Sequence, residues 1–245
     1  HGYATKRLAM PCTNTMDIHL LQSTVSLASK SPIQSLKGLH MNITQLPYQP
    51  YGYNPNSLYR IFNRIDQLLQ DYAKILVIRV DFYIRKDFVL DISDRFMIEA
   101  WQRLRNNMRS NQLFDHCITQ MAKLEYTPDR GWHFHTAFFF NGHYHQSEYG
   151  LGKAIQTYGE GTIAKMVGHG HVTSGQDHIV NGTGMVHYRE ADKINNVKYA
   201  LAYLAKNDCN QANKAFTDAS GKNIRTFFIS QYQPKCGLSG RPRAY

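Results

Sequence analysis

A predicted β-hairpin at residues 120–140 constrains the fold of this chain more than any other feature of its sequence. Residues 127–131 (Thr-Pro-Asp-Arg-Gly) have turn chemistry, because proline presets φ and glycine accepts a positive φ. Side chains of a strand alternate between its two faces, so His133 and His135 lie on the same face. If the strands pair across this turn, Glu125 lies beside His133. The pattern therefore predicts two imidazoles and a carboxylate close together, which is a donor set for a divalent metal ion.

The predicted metal site has alternatives within the sequence. The carboxylate ligand depends on hairpin register, since a slip of one residue turns it to the other face. His143 and His145 also flank an aromatic residue, but their polar neighbours are typical of a loop, so they rank second as ligands. His169 and His171 lie in Gly168–Gly184, which we expect to be an exposed loop. Both of these pairs are therefore predicted to be surface histidines that could face nucleic acid.

The remaining patterns predict an α+β domain. In chain order the sequence predicts a helix at 57–72, a strand at Lys74–Ile84, a helix from Asp91 or Ser93 to about Asn107, the hairpin, a helix at Ser147–Val167, a short strand at Met185–Arg189, a helix at Asp192–Lys206 and a strand at Ile224–Gln231. This order favours an antiparallel-rich sheet with the hairpin in its middle and helices packed on it, and disfavours a doubly wound sheet. Arg79 and Asp81 share one face of the first strand, where we expect them to pair; the alternative is a place at the edge of a site.

The chain has no internal repeat, and no domain boundary is evident within its periodic part. We predict an N-terminal extension at residues 1–53, partly irregular, that wraps the domain and could contain a short helix at Met16–Leu27; the alternative is a mobile tail. A single domain at 54–233 and a basic tail at 234–245 follow.

The composition points to a polyanionic partner. A formal charge of +10 and a pI near 9.4 favour nucleic acid over a membrane, and 16 Tyr and 12 Phe offer rings on which bases can stack. The four cysteines form no C-x-x-C pair, which disfavours a structural zinc site or a disulfide framework and fits a reducing cytoplasm. Because no apolar run of about 18 residues occurs, we expect no membrane-spanning helix.

Three residues of the last predicted helix share the face opposite its apolar side: Tyr199, Tyr203 and Lys206, at positions i, i+4 and i+7. A surface helix usually carries Glu or Lys at such positions, so two phenols beside an ammonium could form a reactive row. An unperturbed phenol has a pKa near 10, and a nearby metal ion or ammonium eases its ionisation for attack on phosphorus. The alternative, which the helix alone favours, is that both tyrosines simply pack through their rings.

Together, these elements resemble the HUH endonuclease superfamily, in which two histidines flank a hydrophobic residue on a strand. The matching segments are His-Phe-His at 133–135 and the Y-x-x-x-Y-x-x-K spacing at 199–206. The second segment is similar to the two-tyrosine initiators of rolling-circle replication, in particular the inovirus and prophage type, as is the strand at 225–230. Lys74–Ile84 would be the first motif of the superfamily, so the likeness spans about residues 57–231.

The resemblance implies a ferredoxin/RRM-like HUH fold and a mechanism. Mg²⁺ or Mn²⁺, held by the two histidines of the hairpin and its glutamate, would polarise a phosphate of single-stranded origin DNA. Tyr199 or Tyr203 would attack it, leaving a 5′-phosphotyrosine and a free 3′-OH that primes synthesis. The other tyrosine could later rejoin the strand, and Lys206 would steady the developing charge. A bacterial host cytoplasm is the implied location.

The resemblance also implies partners. We expect Lys198, Arg103 and Arg225 to contact nucleic acid. The chain has no Walker A motif, so a host helicase must unwind the duplex and a host polymerase must extend it. The alternatives are a transposase or mobilisation relaxase of the same superfamily, a non-catalytic nucleic-acid-binding protein, and a metal hydrolase that uses water as its nucleophile.

Overall fold

The computed structural model of the protein describes residues 46, 52–163, 167–173, 180–207, 221 and 224–233. The predicted helix at Met16–Leu27, most of the extension at 1–53 and the basic tail at 234–245 lie outside these residues. The described helices are α1 (Pro55–Asp71), α2 (Asp94–Asn107), α3 (Glu148–Tyr158) and α4 (Ala191–Leu201). The described strands are β1 (Lys74–Ile84), β2 (Cys117–Thr127), β3 (Gly131–Asn141), β4 (Gly168–Thr173), β5 (Gly184–His187) and β6 (Phe227–Ile229).

The six strands form one antiparallel sheet in the order β4-β1-β3-β2-β6, and β5 pairs with β1 beyond the end of β4. The hairpin of β2 and β3 therefore lies in the middle of the sheet, as predicted. The segment β1–α2–β2–β3–α3–β4 has the β-α-β-β-α-β connectivity of ferredoxin-like domains. The predicted α+β class is confirmed.

Helices cover both faces of the sheet. On one face, α2 and α3 pack on residues such as Ile78 and Phe138, and Trp101 of α2 belongs to the same apolar cluster. On the other face, α1 and α4 pack on residues such as Val77 and Phe139. Because β1 and β3 are buried on both faces, their sequences are almost continuously apolar. The polar residues at one end of these strands are the exception, and they mark the candidate site.

Local signals in the sequence set the start of the helices. Asn54 caps α1, since its Oδ1 accepts a hydrogen bond from the Ser57 amide at 2.9 Å, and Pro55 occupies the first turn. Ser93, one of the two predicted caps, accepts from the Phe96 amide at 3.3 Å and begins α2. The predicted end of this helix at Asn107 is confirmed.

The prediction of an exposed loop at Gly168–Gly184 is wrong at its start, where β4 pairs with β1. Glycine normally weakens a strand, which is why the sequence suggested a loop. At Gly170, however, a Cβ would lie 2.7 Å from the Gln156 Cγ atom of α3, so close packing against the helix excludes a larger residue. The two glycines face α3, and the histidines that alternate with them face the other side.

Two predicted helices are too long. The helix at Ser147–Val167 ends as an α-helix at Tyr158 and continues as a π-helical turn at Gly159–Ile163. The helix at Asp192–Lys206 ends at Leu201 and is followed by a tighter 3₁₀ turn at Ala202–Ala205. No helix in the described ranges is long and apolar enough to cross a membrane.

Candidate metal centre

The register of the hairpin places the three predicted ligands together. Glu125 of β2 is directly opposite His133 of β3, and His135 lies two residues further along the same face. One ligand atom from each of these three side chains lies within 4.8 Å of the other two, and all three residues are buried. The prediction that the three groups meet on one sheet face is confirmed.

Both imidazoles are held by hydrogen bonds at the nitrogen that faces away from Glu125. The Nδ1 atom of His133 lies 2.9 Å from the carbonyl oxygen of Gly131, and the Nδ1 atom of His135 lies 2.8 Å from Asp81 Oδ2. Because these oxygens accept, each Nδ1 donates, which leaves the Nε2 lone pair of a neutral ring available. This arrangement of an outer hydrogen-bond partner is typical of metal-binding histidines.

Asp81 is a buried carboxylate at the edge of this candidate centre, which is the alternative that the sequence offered to simple pairing with Arg79. The predicted pair with Arg79 is present, with 3.5 Å between Arg79 Nη2 and Asp81 Oδ1. The contact with His135 exists because Asp81 of β1 is opposite His135 in the β1–β3 ladder. The alternation of β1 put Asp81 on a shared face with Arg79, but only the pairing of β1 with β3 brings it to the histidine.

The charges of the centre shift the pKa values of its members. Burial alone would raise the pKa of Glu125, but its interactions with His135 and Lys206 outweigh burial and lower the pKa to about 2. Burial lowers the pKa of His133, and the neighbouring imidazole adds to this effect. Burial opposes protonation of His135 too, but Asp81 and Glu125 raise its pKa above the usual value. Glu125 is therefore ionised at neutral pH, as a metal ligand must be.

The phenol of Tyr203 contacts two of the three ligand side chains. Its Oη donates to Glu125 Oε2 at 3.0 Å and lies 3.2 Å from His135 Nε2. The ammonium of Lys206 donates to the same phenol oxygen at 3.0 Å and to Glu125 Oε2 at 3.0 Å. Of the predicted tyrosine row, Tyr203 and Lys206 thus lie at the candidate metal centre.

The segment that precedes α1 fixes the position of Tyr203. The 3₁₀ turn at Ala202–Ala205 ends where Tyr53 forms a β-bridge with Lys206. The Asn54 amide donates to the carbonyl oxygen of Ala205 at 2.8 Å, and a second amide–carbonyl contact of 3.1 Å follows between Asn207 and Gly52. Hydrogen bonds with residues 52–54, which are distant in sequence, therefore hold the end of the turn that follows α4.

Tyr199 has a different environment. It lies on α4, is half-buried, and packs against the apolar cluster of α1 and the sheet. Tyr203 packs against the same cluster, so the predicted ring packing is present for both tyrosines, but Tyr203 in addition makes polar contacts with Glu125 and His135.

The three predicted nucleic-acid contacts make interactions within the protein. Lys198 Nζ lies 2.6 Å from Asp66 Oδ1 on α1. The guanidinium of Arg103 lies over the ring of Phe96, and that of Arg225 lies over the ring of Phe228. None of these described contacts joins the metal centre, and contact with nucleic acid stays a prediction.

The other two histidine pairs, His143 with His145 and His169 with His171, lie near opposite ends of the sheet. At the far end of β3, His145 Nε2 lies 3.0 Å from the Asp115 carbonyl oxygen. His169 and His171 are exposed on β4, on the face that carries the metal centre. Within the described part of the chain, Glu125, His133 and His135 are the group of three side chains whose possible ligand atoms lie close enough together to hold a metal ion.

The fold and this site define an α+β domain with a buried Glu/His/His centre and a phenol hydrogen-bonded to it. The chain belongs to the YagK/YfjJ C-terminal domain family, which matches residues 38–219 and so includes the whole centre. No curated protein and no solved structure matches the chain.

Proposed function

We propose that this chain is a metal-dependent nuclease and strand transferase of the HUH type that nicks single-stranded DNA to initiate rolling-circle replication. The proposal rests on the contacts of the Tyr203 phenol, whose Oη lies 3.0 Å from Glu125 Oε2 and 3.2 Å from His135 Nε2. A protein that only binds nucleic acid does not require a phenol at a metal centre. A hydrolase that uses water as its nucleophile does not require one either.

The residues of the centre fit a divalent metal ion. Glu125 Oε1 is buried and has no hydrogen-bond partner among the described residues, and such an atom is costly unless a ligand satisfies it. A Glu125 oxygen and the Nε2 atoms of His133 and His135 would together give one oxygen donor and two nitrogen donors. This set suits Mn²⁺ or Zn²⁺, and the resemblance to HUH enzymes favours Mg²⁺ or Mn²⁺. A bound ion would supply Lewis acidity to the scissile phosphate.

Tyr203 is the nucleophile of the proposed reaction. Its Oη loses its proton and forms a bond to phosphorus while the bond from phosphorus to the 3′ oxygen breaks. The departing oxygen takes up a proton, which leaves a 5′-phosphotyrosine and a free 3′-OH. The phenol proton points at Glu125 Oε2, and the Lys206 ammonium lies 3.0 Å from the attacking oxygen, where it offsets negative charge. Because the Tyr203 phenol contacts Glu125 and His135, whereas Tyr199 makes no described contact with either, we assign the first cleavage to Tyr203.

The proposed substrate follows from the charge of the chain. A chain with a formal charge of +10 attracts a polyanion, and single strands present the phosphate without the need for unwinding. A helicase and a polymerase of the host would provide unwinding and synthesis.

The proposal is tested by incubating the protein with Mn²⁺ and single-stranded oligonucleotides that tile the DNA encoding and flanking it. We expect an adduct that resists SDS in the wild type, none in Tyr203→Phe, and retention in Tyr199→Phe. Tyr199→Phe is the matched control, since it removes the same hydroxyl from the same helical row. No adduct from any strand, or an adduct that persists in Tyr203→Phe, contradicts the proposal.

A further inference from the structure

Two rows of side chains cross the sheet on the face that carries the metal centre. Residues opposite one another in paired strands point to the same face. Taken from β2, β3, β1 and β4 in turn, the rows are Glu125–His133–Tyr83–His169 and Lys123–His135–Asp81–His171. The rows extend the metal centre to β4, which is an edge strand. The histidine pair of β4 is thus aligned with the metal-binding pair of β3, with one strand between them.

Aromatic rings connect the metal centre to this edge. The ring of Tyr83 stacks on His133, with 5.3 Å between centroids and 24° between planes. On its other side it stacks on His169, at 5.5 Å and 25°. His169 is exposed, so the stack of rings ends at solvent. A nucleobase could continue this stack, since every base has a flat aromatic face.

A cleft of about 410 Å³ opens at the exposed end of the stack. We call it the β4 cleft, and its lining includes Tyr83, Lys86, Asp129, Arg130, His169 and His171. Its volume is within the range of about 300–1,000 Å³ that is usual for ligand sites.

Charge in the β4 cleft favours an anion. Lys86 and Arg130 are exposed cations, and the Arg130 guanidinium lies 5.7 Å from the Tyr83 ring centroid. Asp129 offsets part of this charge, but its 3.5 Å pair with Arg130 is exposed on both sides and therefore weak. Flat rings beside cations are the combination that binds single-stranded nucleic acid.

We infer that the β4 cleft holds the nucleotide next to the scissile phosphate, an inference that rests on the proposed function. The base stacks on His169, and Arg130 and Lys86 contact the adjoining phosphate. The stack through Tyr83 to His133 sets the distance from this nucleotide to the metal centre. His169 and Arg130 are binding residues, separate from the nucleophile and the ligands.

The test is fluorescence anisotropy with a labelled short oligothymidylate in EDTA, so that no cleavage occurs. We expect His169→Ala to weaken binding on the order of tenfold, the cost of one lost base–aromatic stack. Arg130→Ala should weaken binding and lower the slope of log affinity against log salt by about one. Lys153→Ala is the control, since it removes an exposed cation from α3 on the other face of the sheet and should bind as the wild type.

An abasic oligomer of the same length and charge isolates the stacking step. The wild type should bind it on the order of tenfold more weakly than oligothymidylate, whereas His169→Ala should bind the two about equally. Wild-type affinity in His169→Ala, or a loss in Arg130→Ala no larger than that in Lys153→Ala, overturns the β4 cleft. Tighter binding of oligouridylate than of oligothymidylate overturns the assignment to DNA.

The binding measurements test the β4 cleft, and the adduct assay tests the proposed nuclease activity, so the two can fail independently. If the wild type forms no covalent adduct but the cleft variants lose affinity, the nuclease fails and a binding site for single strands remains. If adducts form and the cleft variants bind normally, the cleft alone is wrong.

Discussion

Replacing Asp81 with Asn tests how the metal centre is held in place. Asp81 Oδ2 accepts from His135 Nδ1 at 2.8 Å, and Asp81 Oδ1 lies 3.5 Å from Arg79 Nη2. Asn keeps an oxygen near the imidazole but removes the negative charge that selects the Nδ1–H tautomer. It also offers an amide N–H that can bind Nδ1 in the wrong tautomer, which would turn an N–H toward the metal.

Two effects of different size follow from this geometry. Loss of an outer carboxylate from a ligating histidine typically weakens metal binding about tenfold to a hundredfold. The substitution also weakens the pairing of the buried Arg79 guanidinium, and loss of a partner from a buried ion pair costs about 3–5 kcal/mol of unfolding free energy. Metal affinity must therefore be measured where circular dichroism shows the variant to be folded.

The assay is titration of the apoprotein with Mn²⁺ by isothermal calorimetry. Asp66→Asn is the matched control, because Asp66 pairs with Lys198 at 2.6 Å on α1 and makes no described contact with the centre. We expect Asp66→Asn to retain wild-type affinity and Asp81→Asn to lose it. Equal Mn²⁺ affinity of folded Asp81→Asn and the wild type would refute the role of this carboxylate in holding the imidazole.

Three further predictions concern the centre and its hairpin. The pKa of Glu125 is lowered from 4.5 to about 2, so its ionisation adds about 3 kcal/mol to the free energy of unfolding above pH 4.5, and this is lost as the pH falls toward 2. In urea unfolding of the apoprotein, the free energy of unfolding should therefore fall less steeply with acid in Glu125→Gln than in the wild type. An equally steep fall in the two proteins contradicts this. Lys206→Met should slow adduct formation on the order of a hundredfold while Mn²⁺ affinity falls far less, so a quench-flow rate equal to that of the wild type refutes its role beside Tyr203. Gly131 has φ 63°, and a Cβ there would lie 2.9 Å from Val89 Cγ1. Gly131→Ala should therefore lower the midpoint of thermal unfolding by several degrees relative to the wild type. An unchanged midpoint would show that alanine causes no strain in this turn.

The hairpin could be predicted because its signals are local. The turn residues at 127–131 fix where the strands reverse, and alternation then places Glu125, His133 and His135 on one face. The same holds for the caps Asn54 and Ser93, whose side chains act within three residues of the chain.

Other parts of the site depend on contacts between distant segments. Asp81 joins His135 only because β1 pairs with β3, and the register of that pair cannot be deduced from either strand alone. β4 was missed because Gly170 serves packing against α3 rather than a turn. The end of α4 at Leu201 could not be predicted either, since residues 52–54 clamp the 3₁₀ turn that follows.

The proposed reaction requires the Tyr203 phenol to attack phosphorus. The most direct measurement is mass spectrometry of the protein after reaction with single-stranded DNA and Mn²⁺, followed by nuclease digestion and tryptic cleavage. We expect a nucleotide joined through its 5′ phosphate to Tyr203, and none when EDTA replaces the metal. A nucleotide attached to another residue, or no attachment on a protein shown to bind Mn²⁺, would contradict it.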